Sequence, residues 1–308
     1  MTNLQEKILE YTMTGQTLEE MSNTLNIPKR EIKIEINELR RIGYNIVRQF
    51  YYNGVQKYYL DKSIPENSTN LLGIPKNDTF RALAASDYHI GSIKENLDYI
   101  KILYEFASKN GIHIIFNGGD LIEGHLNRHK HQTREEQIEY LLEKHPKDDS
   151  IINLITLGNH DADLIKHTGI DLHTILNLYR DDLVSLGYGI NKVNLRYNDI
   201  ILSHIASDVT KTKAKLKITG HGHRYQFKVA YGMPTLFLPT LSNEIKDGFP
   251  PGFVDINIDI KDGKFSKGVF TQYIIINNKT IRVSNSVFNY ETSFISNPEK
   301  NMHLSKFH

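Results

Sequence analysis

Five short apolar runs in this chain each stop abruptly at a polar or glycine-rich motif: "FRALAASDYH", "IHIIFNGGD", "IINLITLGNHD", "DIILSH" and "LKITGHGH". Runs of this length without polar alternation suit strands buried on both faces, as in a parallel or sandwiched sheet. Helical stretches, residues 96–109 and 134–143 among them, lie between several of the runs. From Thr79 onward the chain is therefore expected to be α/β. Its motifs fall at strand ends, where residues distant in sequence can meet. Later segments, "TLFLPTL", "GFVDINIDI" and "GVFTQYIIINNKTIRVS", add strands and turns in a meander.

The strand-end motifs carry donor side chains: Asp87 and His89, Asp120, Asn159, His204, and His221 with His223. Singly, each motif has an ordinary explanation. Residues 87–89 suit a turn with a cap, residues 118–120 a glycine turn, residues 158–161 a loop tolerating positive φ, and His204 a core histidine. Together they supply two carboxylates, one amide oxygen and four imidazoles, enough to hold two adjacent divalent ions with one carboxylate bridging. The chain has no Cys, so thiolate ligands and disulfides are excluded. Oxygen and nitrogen donors favour Mn²⁺, Fe or Zn²⁺ over soft-ligand metals and over an all-oxygen Ca²⁺ cage. In an extended "TGHGH" loop, His221 and His223 point to opposite sides, so each is expected to reach a different ion. Gly220 and Gly222 are expected to allow close backbone approach.

In order, "SDYHIGS", "GGDLIEG", "LGNHD", "LSHIA" and "TGHGH" match D-x-H, G-D-x-x-E, G-N-H-D, H and G-H-x-H. This set resembles the calcineurin-like metallophosphoesterase superfamily and spans residues 79–260. The resemblance implies a four-layer α/β/β/α sandwich with a dinuclear site above the central sheets. It assigns one ion to Asp87, His89, Asp120 and His223, and the other to Asp120, Asn159, His204 and His221, with Asp120 bridging. It implies phosphoester hydrolysis by a metal-bound hydroxide, with two divalent ions, manganese first and iron or zinc as alternatives. His160, beside Asn159, is placed to protonate the leaving oxygen, a role the resemblance also implies. Asp161 is expected to orient His160, or alternatively to cap the helix of "DADLIKH". "SDYHIGS" followed by "GGDLIEG" looks closest to the DNA-processing branch, meaning the nuclease subunit of double-strand-break repair complexes and the small subunit of archaeal family D DNA polymerase.

Residues 1–60 read as a separate unit. Leu4, Ile8, Leu9 and Met13 recur at helical spacing, and Thr17 with Glu20 forms a capping box before Leu18, Met21 and Leu25. Pro28 opens a third helix whose inward face is Ile32, Ile36 and Leu39, with Lys29, Arg30, Lys33, Arg40 and Arg41 on the remainder. Asn53-Gly54 then joins two β-rich runs as a hairpin. Three helices and a hairpin, with "TLEEMSNTLNIPKREIKIEINELRRIGYNI", resemble a winged helix-turn-helix, with residues 28–42 as recognition helix. That resemblance implies nucleic-acid binding, or else protein contact and dimerisation. Residues 1–60 hold 8 Lys and Arg against 7 Asp and Glu, a net of +1, a thin electrostatic footprint for phosphate.

Residues 61–78 read as a linker, residues 79–262 as the metallophosphoesterase domain, and residues 263–308 as a β extension with a tail loosely packed from Phe288. The whole chain has 37 Lys and Arg against 36 Asp and Glu, so nucleic acid must be attracted by a local patch. One candidate is a basic lip in "EGHLNRHKHQTRE", with His125, His129 and His131 among Arg128, Lys130 and Arg134; a solvated loop is the alternative. The lysines of "TKTKAKLKI" alternate with Ala214, Leu216 and Ile218, as on a strand with one wet face. His113, His145, His167 and His173 are assigned structural places. The polar, acidic start is unlike a secretory signal, and no window approaches a membrane span. A cytoplasmic protein without membrane contact is expected. Three functions fit: a metal-dependent phosphodiesterase or nuclease acting on DNA, a phosphatase or phosphodiesterase for small molecules or phosphoproteins, and a DNA-binding regulator with a non-catalytic metal domain.

Overall fold

The computed structural model describes residues 1–60, 69–74, 77–124, 128, 130, 133–195, 197–205 and 213–291. Helices α1 (Asn3–Thr14), α2 (Leu18–Leu25) and α3 (Lys29–Arg41) come first. The capping box at Thr17 is present. Glu20 N–H donates to Thr17 Oγ1 at 3.1 Å, and Thr17 N–H donates to Glu20 Oε2 at 2.7 Å. Ile32, Ile36 and Leu39 of α3 are buried against Ile8, Leu9, Leu18 and Met21. Each such side chain contributes roughly 1.5–3 kcal/mol by leaving water, and this packing holds together helices too short to persist alone. Met13, expected inward, is 67% exposed, and Thr12 is buried instead. A hairpin follows, β1 (Ile46–Tyr51) and β2 (Gln56–Leu60), turning through Asn53-Gly54 with Gly54 at φ 85°. Next comes β3 (Thr69–Leu72), a strand inside the segment expected to be a linker.

Strands and helices then alternate: β4 (Asp78–Ala85), α4 (Leu97–Lys109), β5 (Ile114–Asn117), α5 (Arg134–Lys144), β6 (Ile152–Leu157), α6 (Asn159–Thr168), α7 (Leu172–Tyr179) and β7 (Leu183–Tyr188). Strands make up the remainder: β8 (Ile190–Leu195), β9 (Asn198–Ser203), β10 (Leu216–Thr219), β11 (Gln226–Ala230), β12 (Met233–Phe237), β13 (Gly252–Lys261), β14 (Lys264–Ile276) and β15 (Lys279–Asn289). One seven-stranded sheet has the order β15-β14-β13-β4-β5-β6-β7. In it β4 to β7 are parallel, and β13 pairs antiparallel with β4. The segment expected as a C-terminal extension is thus the edge of this sheet. Phe288 and Tyr290 join the core between the sheets. Residues 292–308, and with them most of the expected tail, lie outside the described residues.

An eight-stranded sheet, of order β11-β12-β10-β9-β8-β3-β1-β2, stacks on the first. Strand pleating splits the apolar residues between two cores. Phe80, Ala82 and Ala84 of β4 meet Ile200, Leu202, Ile218 and Leu236 of the second sheet. Leu83 and Ala85 meet Ile100 and Leu103 of α4, Leu164 of α6 and Leu176 of α7. Burial on both faces is why these strands read as continuous apolar runs. The contacts establish a helix layer, the seven-stranded sheet and the eight-stranded sheet, with α1 to α3 packed on β1 and β2 at one edge of the latter. Among the described residues no helix follows β7 to form the fourth layer expected. Lys217, expected on a wet face, is buried, as are all four residues of β10.

The N-terminal elements are spliced into this body. β3 pairs parallel with β1 on one side and with β8 on the other, making the hairpin part of the larger sheet. Helix α3 lies against α7. Lys33, expected at the surface, is 5% exposed; its Nζ donates to the Leu178 carbonyl at 3.2 Å and pairs with Asp181. Arg30 donates to Tyr179 Oη at 2.9 Å and lies 4.7 Å from its ring centroid. Two of the five cations expected on the recognition helix therefore face the body. No described helix is long and apolar enough to cross a membrane.

His145, at the end of α5, is buried and stacks on Tyr88 with 6.0 Å between ring centroids. Burial is the main cause that lowers its imidazole from the ordinary 6.5 to about 4. Between those values the unfolded chain binds a proton that the folded chain refuses. Stability should therefore fall as pH drops through this window, by up to about 3 kcal/mol from this residue. His145→Phe retains a ring and removes the titration. Urea unfolding at neutral pH and at about pH 4.5 should show a smaller acid loss in the variant. Equal losses in variant and wild type would refute this assignment.

Candidate metal centre

All seven expected donors sit at the C-terminal ends of strands. Asp87 and His89 follow β4, Asp120 follows β5, and Asn159 opens α6 directly after β6. From the facing sheet His204 follows β9, and His221 and His223 follow β10. Since β4, β5 and β6 are parallel, as are β9 and β10, the five loops collect at one end of the stacked sheets. Backbone bonds tie the loops together: Asp87 N–H donates to Gly119 O at 2.9 Å, and His89 N–H to Asp120 O at 3.0 Å.

The donors form two adjoining groups. In one, Asp87 Oδ1 lies 3.3 Å from His223 Nε2, which is 3.4 Å from His89 Nε2. In the other, His204 Nε2 lies 3.1 Å from Asp120 Oδ2, 3.0 Å from Asn159 Oδ1 and 3.1 Å from His221 Nδ1. Asp87, His89, Asp120, His204 and His223 are buried. Asp87, His89 and His223 thus lie together in one group and Asp120, His204 and His221 in the other.

The tautomers explain why a cation fits. His204 Nδ1 donates to the Gly118 carbonyl at 2.8 Å, and His223 Nδ1 to the Glu244 carbonyl at 2.9 Å. In the neutral rings each Nε2 therefore turns a lone pair toward carboxylate and amide oxygens, an arrangement that repels itself unless positive charge lies between. Donors about 2.0–2.2 Å from a common ion are themselves roughly 3.0–3.5 Å apart, the spacing found here. The field agrees. Burial opposes a charged His204, yet hydrogen bonding to Asp120 and the charges of Asp120 and Asp87 raise it to about 9. Burial likewise works to raise Asp87, but His223 and the neighbouring imidazoles hold it down to about 2. A pocket that keeps its carboxylates ionised and grips protons this firmly favours cations.

Backbone conformation sets the aim of the donors. Asp87, His89, Asp120, His221 and His223 all have positive φ, between 46° and 66°. For non-glycine residues this left-handed region costs roughly 1–3 kcal/mol each, and such strain concentrates at functional sites. The "TGHGH" loop is thus not extended as expected. Left-handed turns at both histidines, rather than strand alternation, send His221 to one group and His223 to the other. Gly220 is required, since a Cβ there would lie 2.1 Å from Ser86 Oγ and 2.5 Å from Gly118 O. Gly222 makes no such approach; its Cβ would meet nothing nearer than 3.9 Å. Gly158 is required too, since its Cβ would fall 2.1 Å from Asp120 Oδ1, and so is Gly124, whose Cβ would fall 2.3 Å from the His160 carbonyl.

His160 sits at the edge of the centre, with its backbone N–H donating to Asp120 Oδ1 at 2.9 Å. Its Nδ1 donates to the Glu123 carbonyl at 2.6 Å and lies 3.5 Å from Glu123 Oε1. Burial disfavours its charged form, but the Glu123 hydrogen bond and the Asp120 charge outweigh it and raise His160 to about 9. The orienting role expected of Asp161 falls to Glu123. Asp161 accepts from three backbone N–H groups, those of Leu121 (2.9 Å), Ile122 (3.1 Å) and Gly158 (2.8 Å). It caps α6 and braces the loop carrying Asp120, as its alternative assignment had it.

Glu123 is the residue the sequence reading passed over. Its carboxylate is buried, and Oε2 lies 3.4 Å from His89 Nδ1. Facing His89 and His160 holds it down to about 2 despite burial, which works to raise it. The acidic position of the G-D-x-x-E motif was the available signal. Of the expected lip, His125, His129 and His131 lie outside the described residues. Arg128 pairs with Glu244 at 2.5 Å, Lys130 with Glu95 at 2.8 Å and Arg134 with Asp163 at 3.2 Å.

Solved structures align with most of the chain at low similarity. Vacuolar protein sorting 29 from Cryptosporidium parvum is 15% identical, covering 70% of this chain and 100% of that one, with a TM-score of 0.43. A conserved uncharacterised protein from Streptococcus pneumoniae, described as a predicted phosphoesterase, is 13% identical over 70% of this chain and 99% of its own, TM-score 0.39. An archaeal phosphodiesterase is 12% identical over 66% of this chain and 99% of its own, TM-score 0.39. No curated protein matches the sequence. The model of the calcineurin-like phosphoesterase family matches residues 80–250, more than half of the chain and every donor described above. The centre built from β4, β5, β6, β9 and β10 is accordingly that of a metal-dependent phosphoester hydrolase, and the chain belongs to the calcineurin-like phosphoesterase family.

Proposed function

We propose that this protein is a dinuclear-metal phosphodiesterase whose substrate is DNA, working with manganese. The observation that carries the diester assignment is the pairing of the cations beside the centre. Arg128, Lys130 and Arg134 each face a carboxylate, which leaves Lys246, whose charge reaches His221 and His223, a sparse match for the extra charge of a monoester dianion among the described residues. A diester carries one negative charge and needs no further cation.

Bound at the two donor groups, divalent cations would supply Lewis acidity toward water and the phosphoryl oxygens. The chain's own residues do the remainder. Asp120 would be a donor to the ion held with His204 and His221, and the family resemblance also makes it a donor to the second ion. His160 has Nδ1 committed to Glu123, so Nε2 is the atom that presents a proton to the departing oxygen. Glu123 supports the imidazolium from behind and holds His89 through Nδ1, as carboxylates do behind ligating histidines.

Support for DNA as the substrate comes from the three-helix and hairpin order of residues 1–60; on its third helix Lys29 and Arg41 are 43% and 72% exposed, each beside an acid, Glu19 and Glu38. A second reading, a diesterase for small molecules with the N-terminal module as a fixed structural part, is favoured by the docking of Arg30 and Lys33 onto α7. A regulator without hydrolysis finds no support in a full donor set with His160 beside it.

The substrate assignment is tested with purified protein and Mn²⁺ on bis-p-nitrophenyl phosphate, p-nitrophenyl phosphate, and labelled single- and double-stranded DNA. Diester and DNA cleavage is expected; monoester cleavage alone would refute both the diester and the DNA assignments. His160→Asn should lower turnover by ~10²–10⁴-fold with metal content little changed, and wild-type rates would remove it from the mechanism. Asp120→Asn should instead deplete metal at both positions, measured by elemental analysis. Glu123→Gln should retain metal better than Asp120→Asn and lower kcat by roughly 10–100-fold.

A further inference from the structure

The loop between β12 and β13, residues 238–251, runs along the metal centre. Its Glu244 carbonyl accepts from His223 Nδ1 at 2.9 Å, and the Asn243 N–H donates to the Lys94 carbonyl at 2.7 Å. The Glu244 carboxylate pairs with Arg128 at 2.5 Å, with Oε2 4.0 Å from His89 Nε2. Two residues later, Lys246 opens a tight turn. Phe249 N–H donates to the Lys246 carbonyl at 3.1 Å, and Asp247 and Gly248 have φ of 55° and 75°. The backbone at Lys246 is therefore fixed on both sides, by the hold on His223 before it and by the turn after it.

Lys246 is exposed and makes no ion pair among the described residues; the acid next to it, Asp247, faces Arg224 at 3.8 Å. Its charge is nevertheless felt in both halves of the centre. Burial first, and the Lys246 charge among the further causes, hold His221 below its ordinary value. At His223, burial and the same Lys246 charge oppose the rise that Asp87 produces. His221 belongs with Asp120 and His204, and His223 with Asp87 and His89. A cation that acts on one donor of each group lies over the span between the groups, where a phosphoryl group held by both would sit. His221 is the exposed member of its group, so this side of the centre is open to substrate.

We propose that Lys246 is a catalytic residue of this centre, its ammonium group meeting the non-bridging phosphoryl oxygens as negative charge grows on them. Hydrolysis adds hydroxide to a diester anion, so the transition state carries one more negative charge than the bound substrate. An ammonium group on a flexible stem can follow that charge without a fixed fork geometry. Beside a largely buried centre its charge acts more strongly than in open water. The interaction belongs to the transition state more than to the bound diester, so it is felt in turnover more than in substrate affinity. The inference rests on the diesterase reading for its substrate, and on the loop and donor geometry alone for the place of Lys246.

Two readouts on the full chain test this. Inorganic phosphate already carries the charge that a diester acquires only during attack, so calorimetric titration of the Mn²⁺-loaded protein with phosphate reads the contact without turnover. Affinity should weaken at least roughly tenfold in Lys246→Met, with Lys246→Arg between the variant and the wild type. On bis-p-nitrophenyl phosphate, Lys246→Met should lower kcat by roughly 10–100-fold with KM little changed. Lys94→Met removes the same charge from the neighbouring loop and should bind phosphate as the wild type does. Thermal melts and elemental analysis should show every variant folded and equally loaded with metal. Any one of four results would overturn the proposal: no phosphate binding to the loaded wild type, unchanged affinity or lost metal in Lys246→Met, Lys246→Arg no better than Lys246→Met, or an equal loss in Lys94→Met. A wild-type protein that cleaves monoesters alone would instead refute the diesterase reading, and the phosphate titration would still judge Lys246.

Discussion

The metal centre rests on the mutual repulsion of electron pairs held close together in a largely buried pocket. Oxygen and nitrogen donors lie 3.0–3.4 Å from one another, and Asp87, His89, Asp120, His204 and His223 among them are buried. Such an arrangement is stable only with positive charge among the donors, whether protons or divalent ions. Every surrounding feature enforces that proximity. Backbone carbonyls of Gly118 and Glu244 take the outer nitrogens of His204 and His223. Glu123 stands behind His89, and Asp161 ties the loop of Asp120 to the start of α6.

Holding the donors in this way requires backbone that an unconstrained loop would avoid. Five of the seven donors have positive φ, and neither their own turns nor local hydrogen bonds explain why all five adopt it together. The two stacked sheets hold them there. Strands β4, β5 and β6 from one sheet, and β9 and β10 from the other, end at the same level, and their loops are cross-bonded. Gly158 and Gly220 mark where two loops come too close for any side chain to intervene. The rigid core under these strands offsets the strain above them.

The N-terminal elements extend this platform. With β3 bridging β1 and β8, the hairpin is continuous with the larger sheet, and α3 turns Arg30 and Lys33 toward α7. Cations that a free module would offer to a phosphate backbone therefore hold the module in place.

Much of this was legible beforehand because the signals are local. Apolar runs bounded by Gly, Asp and His marked the strand ends, and the donor types named the chemistry. Thr17 with Glu20 and Asn53-Gly54 marked a helix start and a turn through hydrogen bonds confined to a few residues. Glu123 escaped because a carboxylate four positions after a glycine has many uses, and only folding brings it against His89 and His160. Asp161 kept two readings for the converse reason: adjacency in sequence to His160 did not decide between orienting that ring and capping the helix, and in the fold its carboxylate accepts from the Gly158 N–H. Lys33 and Lys217 read as surface residues because periodicity describes one element's faces and not what covers them. The sequence alone determined which donors exist and where strands stop, since both depend on residue type and short-range pattern. Only the tertiary structure decided which donors share an ion, which carboxylate backs which histidine, and which cations are buried, because those depend on distances between chain segments that no local pattern encodes.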